Sequence, residues 1–122
     1  MSGQENRLLG RWGERCAASY LRQQGYQIVA ANWRCRFGEI DLIAQYEGFL
    51  CFVEVKLRKN ARFGSAGAFV DVSKQRKLTT TAQLYLAEHP SSQQPRFDVL
   101  EIYAPQGMQT KQPEIYHIKN AF

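Results

Sequence analysis

Two apolar, strand-forming runs, Gly38 to Tyr46 and Phe49 to Leu57, are separated only by Glu47-Gly48. A two-residue connector ending in glycine predicts an antiparallel hairpin, because the tight turns that suit paired strands need positive φ. This hairpin constrains which side chains can meet. If Tyr46 pairs with Phe49, paired positions sum to 95, so Asp41 faces Glu54 and Glu39 faces Lys56. Strand alternation places Leu50, Phe52, Glu54 and Lys56 on one face and Cys51, Val53, Val55 and Leu57 on the other. Glu54 and Lys56 then project the same way, roughly 6.6 Å apart along the strand.

Two carboxylates on directly opposed positions, with Cβ atoms about 4.5–5.5 Å apart, repel each other. Sharing a proton or binding a cation relieves that repulsion. Hard divalent ions such as Mg²⁺ take oxygen ligands, often one or two protein carboxylates together with water and substrate phosphate. Asp41 and Glu54 are the candidate pair. Lys56, one position farther along, could orient or deprotonate a water or stabilise charge on a phosphate. The plainer alternative pairs Glu39 with Lys56 and leaves Asp41 and Glu54 facing solvent. Against it, Leu50, Phe52 and Ile43 share the carboxylates' face, so that face is not simply wet.

The rest of the chain surrounds this hairpin with further α and β elements. Residues 5–24 read as a helix with Leu8, Leu9, Trp12, Cys16 and Tyr20 on one face, widened by Ala17 and Leu21, and Gly25 is placed to end it. Glu14 falls at the rim of that apolar arc, able to point along the edge of a covered sheet. Tyr26 to Asn32 is a first strand. Asn60 to Asp71 reads as a loop, after which Ser73 is the candidate cap of a second helix running to about Glu88, with Leu78, Ala82, Leu84 or Tyr85, and Leu86 toward the core. Phe97 to Tyr103 and Glu114 to Ile118 supply the last strands, and the polar stretch from Gln106 to Pro113 is expected to be mobile. The order α-β-β-β-α-β-β predicts an α/β fold with a mixed central sheet, in which Glu54's strand and the Phe97–Tyr103 strand run parallel across the second helix.

At 122 residues the chain has room for one domain, spanning 1–122, and needs no metal or disulfide staple. Cys16, Cys35 and Cys51 cannot all pair and form no C-x-x-C. The longest nearly apolar run, Phe49 to Val53, is too short to cross a bilayer, and the polar N-terminus lacks a signal-peptide pattern. A cytoplasmic protein without membrane contact is the expectation. His89 and His117 are isolated in sequence from any candidate nucleophile. Sixteen basic residues against eleven acidic give a net charge of +5 and a pI near 9.3. Basic residues cluster at Lys56, Arg58, Lys59, Arg62, Lys74, Arg76 and Lys77, whereas Glu39, Asp41, Glu47 and Glu54 lie in a stretch with no base. An acidic island within basic flanks suits a cation site in a field that attracts phosphates. Bases near a helix N-terminus, at Lys74, Arg76 and Lys77, oppose the macrodipole and are easier to explain if phosphates approach.

Asp41 followed by Glu54-Val55-Lys56 resembles the D…E-x-K signature of the PD-(D/E)XK nuclease superfamily. Gly38-Glu39-Ile40-Asp41-Leu42-Ile43-Ala44, Phe52-Val53-Glu54-Val55-Lys56, the early Gly13-Glu14-x-x-Ala17 helix and Lys74-Gln75-Arg76-Lys77-Leu78 together resemble the bacterial YraN family, from about Gly10 to Tyr103. That family has been described as uncharacterised and nuclease-like, similar in core to Holliday-junction resolvases. The resemblance implies a restriction-endonuclease-like fold and Mg²⁺- or Mn²⁺-dependent hydrolysis of DNA phosphodiester bonds, in branched or structured DNA. It makes Asp41, Glu54 and Glu14 metal ligands, Lys56 the catalytic lysine, and Gln75 a polar residue facing the same site. The proline of the family signature is replaced by Ile40. Arg58, Lys59, Arg62, Lys74 and Lys77 are the expected phosphate contacts, and a homodimer is compatible with this reading. The alternatives are a non-catalytic nucleic-acid-binding module that retains the fold and a protein-interaction domain whose basic face docks an acidic partner.

Overall fold

The computed structural model describes residues 3–59 and 70–122. Helix α1 (Gly3–Gln23) is followed by strands β1 (Gln27–Cys35), β2 (Gly38–Tyr46) and β3 (Phe49–Arg58), helix α2 (Val72–Glu88), strand β4 (Gln94–Tyr103), a short 3-10 turn (Gly107–Gln109) and strand β5 (Glu114–Ile118). The five strands form one mixed sheet in the order β1-β2-β3-β4-β5. β3 and β4 are parallel and the other neighbours antiparallel, as the element order predicts. No described helix is long and apolar enough to cross a membrane.

Each helix covers one face. Ala17, Ala18 and Leu21 of α1 pack on Leu42, Ala44, Cys51, Val53, Leu100 and Ile102. Leu78, Ala82 and Tyr85 of α2 pack on Ile40, Ile43, Leu50, Phe52 and Val99. Gly13 brings α1 close to β3, since a Cβ there would stand 3.3 Å from a Leu57 methyl. Leu8, expected in the apolar stripe, is 46% exposed. The helix ends where Gly25 takes φ 95° and its N–H and that of Tyr26 return to the carbonyls of Arg22 and Leu21.

The hairpin turn adopts positive φ at both Glu47 (46°) and Gly48 (85°), and the register follows: Tyr46 pairs with Phe49 and Leu42 with Val53. β1 runs beyond the expected Asn32 to Cys35 and carries an extra residue at Val29, between the Ile28 and Ala30 pairings. Asp71, not Ser73, caps α2: its carboxylate accepts from the Lys74 N–H at 2.8 Å. Ser73 already lies inside the helix. An aspartate cap also supplies the negative charge that the lysine-rich first turn lacks. Cys16, Cys35 and Cys51 are free.

Beneath α1, β4 carries a charged network that sequence spacing does not reveal. The Arg96 guanidinium donates to both oxygens of buried Asp98, at 2.9 and 2.7 Å, and to the Tyr26 hydroxyl at 2.8 Å. His117 Nε2 lies 2.8 Å from Asp98, and the Asn120 N–H donates to Asp98 at 3.0 Å. Burial by itself would raise the Asp98 pKa. The hydrogen bonds from His117, Arg96 and Asn120 outweigh it and hold the carboxyl below its ordinary value. Stability from this group is therefore present above the usual carboxylate range and lost as pH falls through the depressed folded value. Asp98→Ala strips Arg96 of a buried counter-charge and should cost about 3–5 kcal/mol in urea unfolding, with Asp98→Asn recovering only part.

Candidate active site

The sheet loses its regular alternation at one place. Ile43 and Ile40 both pack on the α2 side although they are three residues apart. Leu42, between them, packs on the α1 side. The switch falls at Asp41, and its cross-strand neighbour Asn32 takes a left-handed φ of 53°. The β2–β3 pairing runs from Tyr46–Phe49 to Leu42–Val53. One step farther, the Val55 N–H donates at 2.8 Å to the Asp41 carboxylate instead of to a strand carbonyl. Asp41 therefore stands in the plane of the sheet between the two faces.

Carboxylates approach it from both sides. Glu54, buried on β3 beneath α2, shares a hydrogen bond with Asp41. From α1, Glu14 reaches the same spot, and carboxylate oxygens of Glu14, Glu39 and Asp41 lie within 4.8 Å of one another. Of the expected Asp41, Glu54 and Glu14, Asp41 is the one that touches both others: it shares a hydrogen bond with Glu54 and lies within 4.8 Å of Glu14. Glu39 was not among the candidate ligands. Hairpin arithmetic assigns it to Lys56, but the pairing ladder ends before that position. Glu39 instead bonds Arg34 at 3.0 Å and turns toward Glu14. The i, i+2 spacing of Glu39 and Asp41 was the available signal.

Lys56 continues the face of Glu54 and lines a hollow of about 440 Å³ with Glu54, Val55, Val70, Asp71 and Lys74. Among the described residues it forms no ion pair. Lys74 extends to Glu54, with its Nζ 3.4 Å from the carboxylate. Gln75 is not brought to the carboxylates by its amide nitrogen, which donates to the Val70 carbonyl at 2.7 Å. Of the other expected phosphate contacts, Lys59 and Lys77 are exposed. Arg58 lies 3.8 Å from buried Glu101. Arg62 is outside the described residues.

Burial, the hydrogen bond with Glu54 and the negative charges of Glu54 and Glu14 push the Asp41 pKa up to about 8, against the opposing Val55 N–H. Burial also raises Glu14, with the Asn32 side chain and Arg34 acting the other way and Glu39 reinforcing it. A raised folded-state value gives stability that is complete below the unfolded carboxylate range and is lost as pH rises through the folded value. Metal-free protein should therefore lose melting temperature between about pH 4 and about pH 8 on account of this group. Asp41→Asn should flatten that decline and raise the melting temperature at the alkaline end, measured by calorimetry across the pH series. An unchanged slope would dissociate Asp41 from the titration.

Comparison with known proteins follows the same boundaries. The family model described as "Uncharacterised protein family UPF0102" matches residues 13–102. A UPF0102 protein of Caldanaerobacter subterraneus subsp. tengcongensis is 44% identical over 117 residues, covering 95% of each chain. One from Symbiobacterium thermophilum is 51% identical over 98 residues, covering 80% of this chain and 83% of its own. One from Nocardia farcinica is 42% identical over 119 residues, covering 97% and 91%. The match spans α1 from Gly13, the whole carboxylate constellation and β4, and on that extent the chain belongs to the UPF0102 (YraN) family.

Proposed function

We propose that this protein is a divalent-metal-dependent endonuclease that hydrolyses phosphodiester bonds of DNA in the cytoplasm. The observation that supports this most directly is the cluster of Glu14, Glu39 and Asp41 oxygens within 4.8 Å of one another, with Glu54 hydrogen-bonded to Asp41, in a chain with net charge +5. So many carboxylates in one place are costly without a counter-charge. An all-oxygen donor set fits a hard ion such as Mg²⁺ or Mn²⁺. Glu14, Asp41 and Glu54 would hold it, with Glu39 beside them. Such an ion supplies Lewis-acid polarisation of a phosphoryl oxygen and lowers the pKa of water.

The chain's own residues do the rest. Asp41 gives up the proton it holds near neutral pH, so affinity for the ion rises with pH. With an ion held at Glu54, Lys74, now 3.4 Å from that carboxylate, would be free to hold a phosphate. Lys56, on the same face two residues beyond Glu54, places an ammonium where charge gathers on the transferring phosphate. Lys59 and Lys77 add sequence-independent attraction.

A second reading, a non-catalytic nucleic-acid-binding module, is favoured by one contact: Lys74 already neutralises Glu54. Cleavage assays on linear, flapped and four-way DNA with Mg²⁺ or Mn²⁺ separate the two readings. Wild type should cut at least one of these, and Asp41→Ala should cut none. Lys56→Ala should lower turnover by about 10²–10⁴ with affinity nearly unchanged. No cleavage of any substrate by wild type, with salt-sensitive binding retained, would leave the binding module. Millimolar Mn²⁺ should also raise the melting temperature of wild type and not that of Asp41→Ala.

A further inference from the structure

Among the described residues, Lys74 and Lys77 belong to α2 and Arg58 lies beside Glu101, yet the structure carries a second basic surface along α1. Arg11, Arg15 and Arg22 are spaced 4 and 7 residues apart, so they form one stripe along α1. With Glu14, Ala18, Ile28, Ala31, Asn32 and Leu42 they line a groove of about 540 Å³ between α1 and β1. The three arginines are exposed and make no ion pair among the described residues. One wall of the groove is Glu14, so it opens directly onto the carboxylate constellation.

β1 leads from this groove to a second feature. From Asn32 the strand runs roughly 10 Å to Cys35. The chain then turns through Arg36 and Phe37 before Gly38. Phe37 is 42% exposed at the tip of that turn. The Arg36 guanidinium lies 4.7 Å from its ring centroid. The tip is anchored, because the Phe37 N–H donates to Cys35 Sγ and a Cβ on Gly38 would stand 3.2 Å from Thr81 of α2. An aromatic ring held at a fixed place beside arginines is a stacking platform for a base. Bases within a duplex are already stacked and do not reach such a ring.

We infer that a single-stranded segment of nucleic acid lies along β1, with its phosphates in the Arg11–Arg15–Arg22 groove and one base stacked on Phe37. The carboxylates between these points would then face the backbone of an unpaired strand, as at a flap, a junction or a free end. The inference rests on the nucleic-acid reading above and names its substrate class. It also separates two tasks: the α2 face carries Lys56, whereas the strand's phosphates run on the α1 side as far as the β1–β2 turn.

The test is binding without metal, so it does not depend on cleavage. Fluorescent oligothymidine and a duplex of equal charge are titrated in EDTA across a salt series. Wild type should prefer the single strand. Phe37→Ala should weaken single-strand binding about tenfold and leave duplex binding nearly unchanged, and Phe37→Trp should restore it with quenching of the new indole. Changing Arg11, Arg15 and Arg22 together to Gln should reduce the single-strand salt slope by about two units. Equal losses on single strand and duplex for Phe37→Ala would overturn the stacking role. An unchanged salt slope in the arginine variant would overturn the path through the groove. Binding of polyglutamate but not of oligothymidine would replace the strand by an acidic protein partner. Loss of cleavage with single-strand preference intact would instead count against the catalytic reading alone.

Discussion

The pairing of Tyr46 with Phe49 decides where every side chain of the central strands goes. A slip of one residue would exchange the two faces of β3 and carry Glu54 and Lys56 to the α1 side. Glu47 and Gly48 prevent it by holding positive φ, a conformation only a short list of residues accepts in a two-residue turn. The ladder then stops one pair short of the carboxylates, and the Val55 amide is satisfied by Asp41 rather than by backbone. The strands can part there without a buried donor going unpaired. That opening lets acids from a helix on one face and a strand on the other converge on a point within the sheet.

Buried Asp98 and half-buried Asp41 show how much local partners matter. Asp98 has a guanidinium, an imidazole and a backbone N–H, and it stays ionised. Asp41 has one backbone N–H and acidic neighbours, and it holds a proton. Asp98 belongs to a closed network that fastens β4, β5 and the start of β1 to one another. Asp41 is the opposite case, with acidic neighbours that an added cation would satisfy. The same side chain is thus held charged in one setting and protonated in the other by its partners alone.

The element order, both ends of β2 and β5, and the proximity of Asp41 to Glu54 and Glu14 were legible in the residues, although Asp41 sits where alternation breaks and so lies between the faces rather than on Glu54's. They depend on local rules: a two-residue turn, strand alternation and the helical wheel. Glu39 was misassigned because alternation was carried past the point where the strands separate, and no local rule marks that point. The Tyr26–Arg96–Asp98–His117 network joins positions up to 91 residues apart, so only the folded chain brings it together. The cap of α2 falls at Asp71 rather than Ser73 because the helix begins at Val72, which carries no periodic signal of its own. Phe37 and the α1 arginines were visible as residues, but not as neighbours of the carboxylates.

The extra residue at Val29 has a bearing on how the molecule behaves in company. In the strand order, β1 and β5 are the outer members of the sheet. An outer strand offers its free amides and carbonyls to any other extended chain, which is how sheets grow into fibrils. β5 is only five residues long. β1 is nine residues long but is interrupted twice, by the bulge at Val29 and by the left-handed Asn32. Each interruption breaks the even spacing that a docking strand would need. The irregularity that sets Asp41 in place therefore also makes the longer rim of the sheet a poor template for uncontrolled growth. A variant that straightened β1 to sharpen its geometry would trade solubility for order.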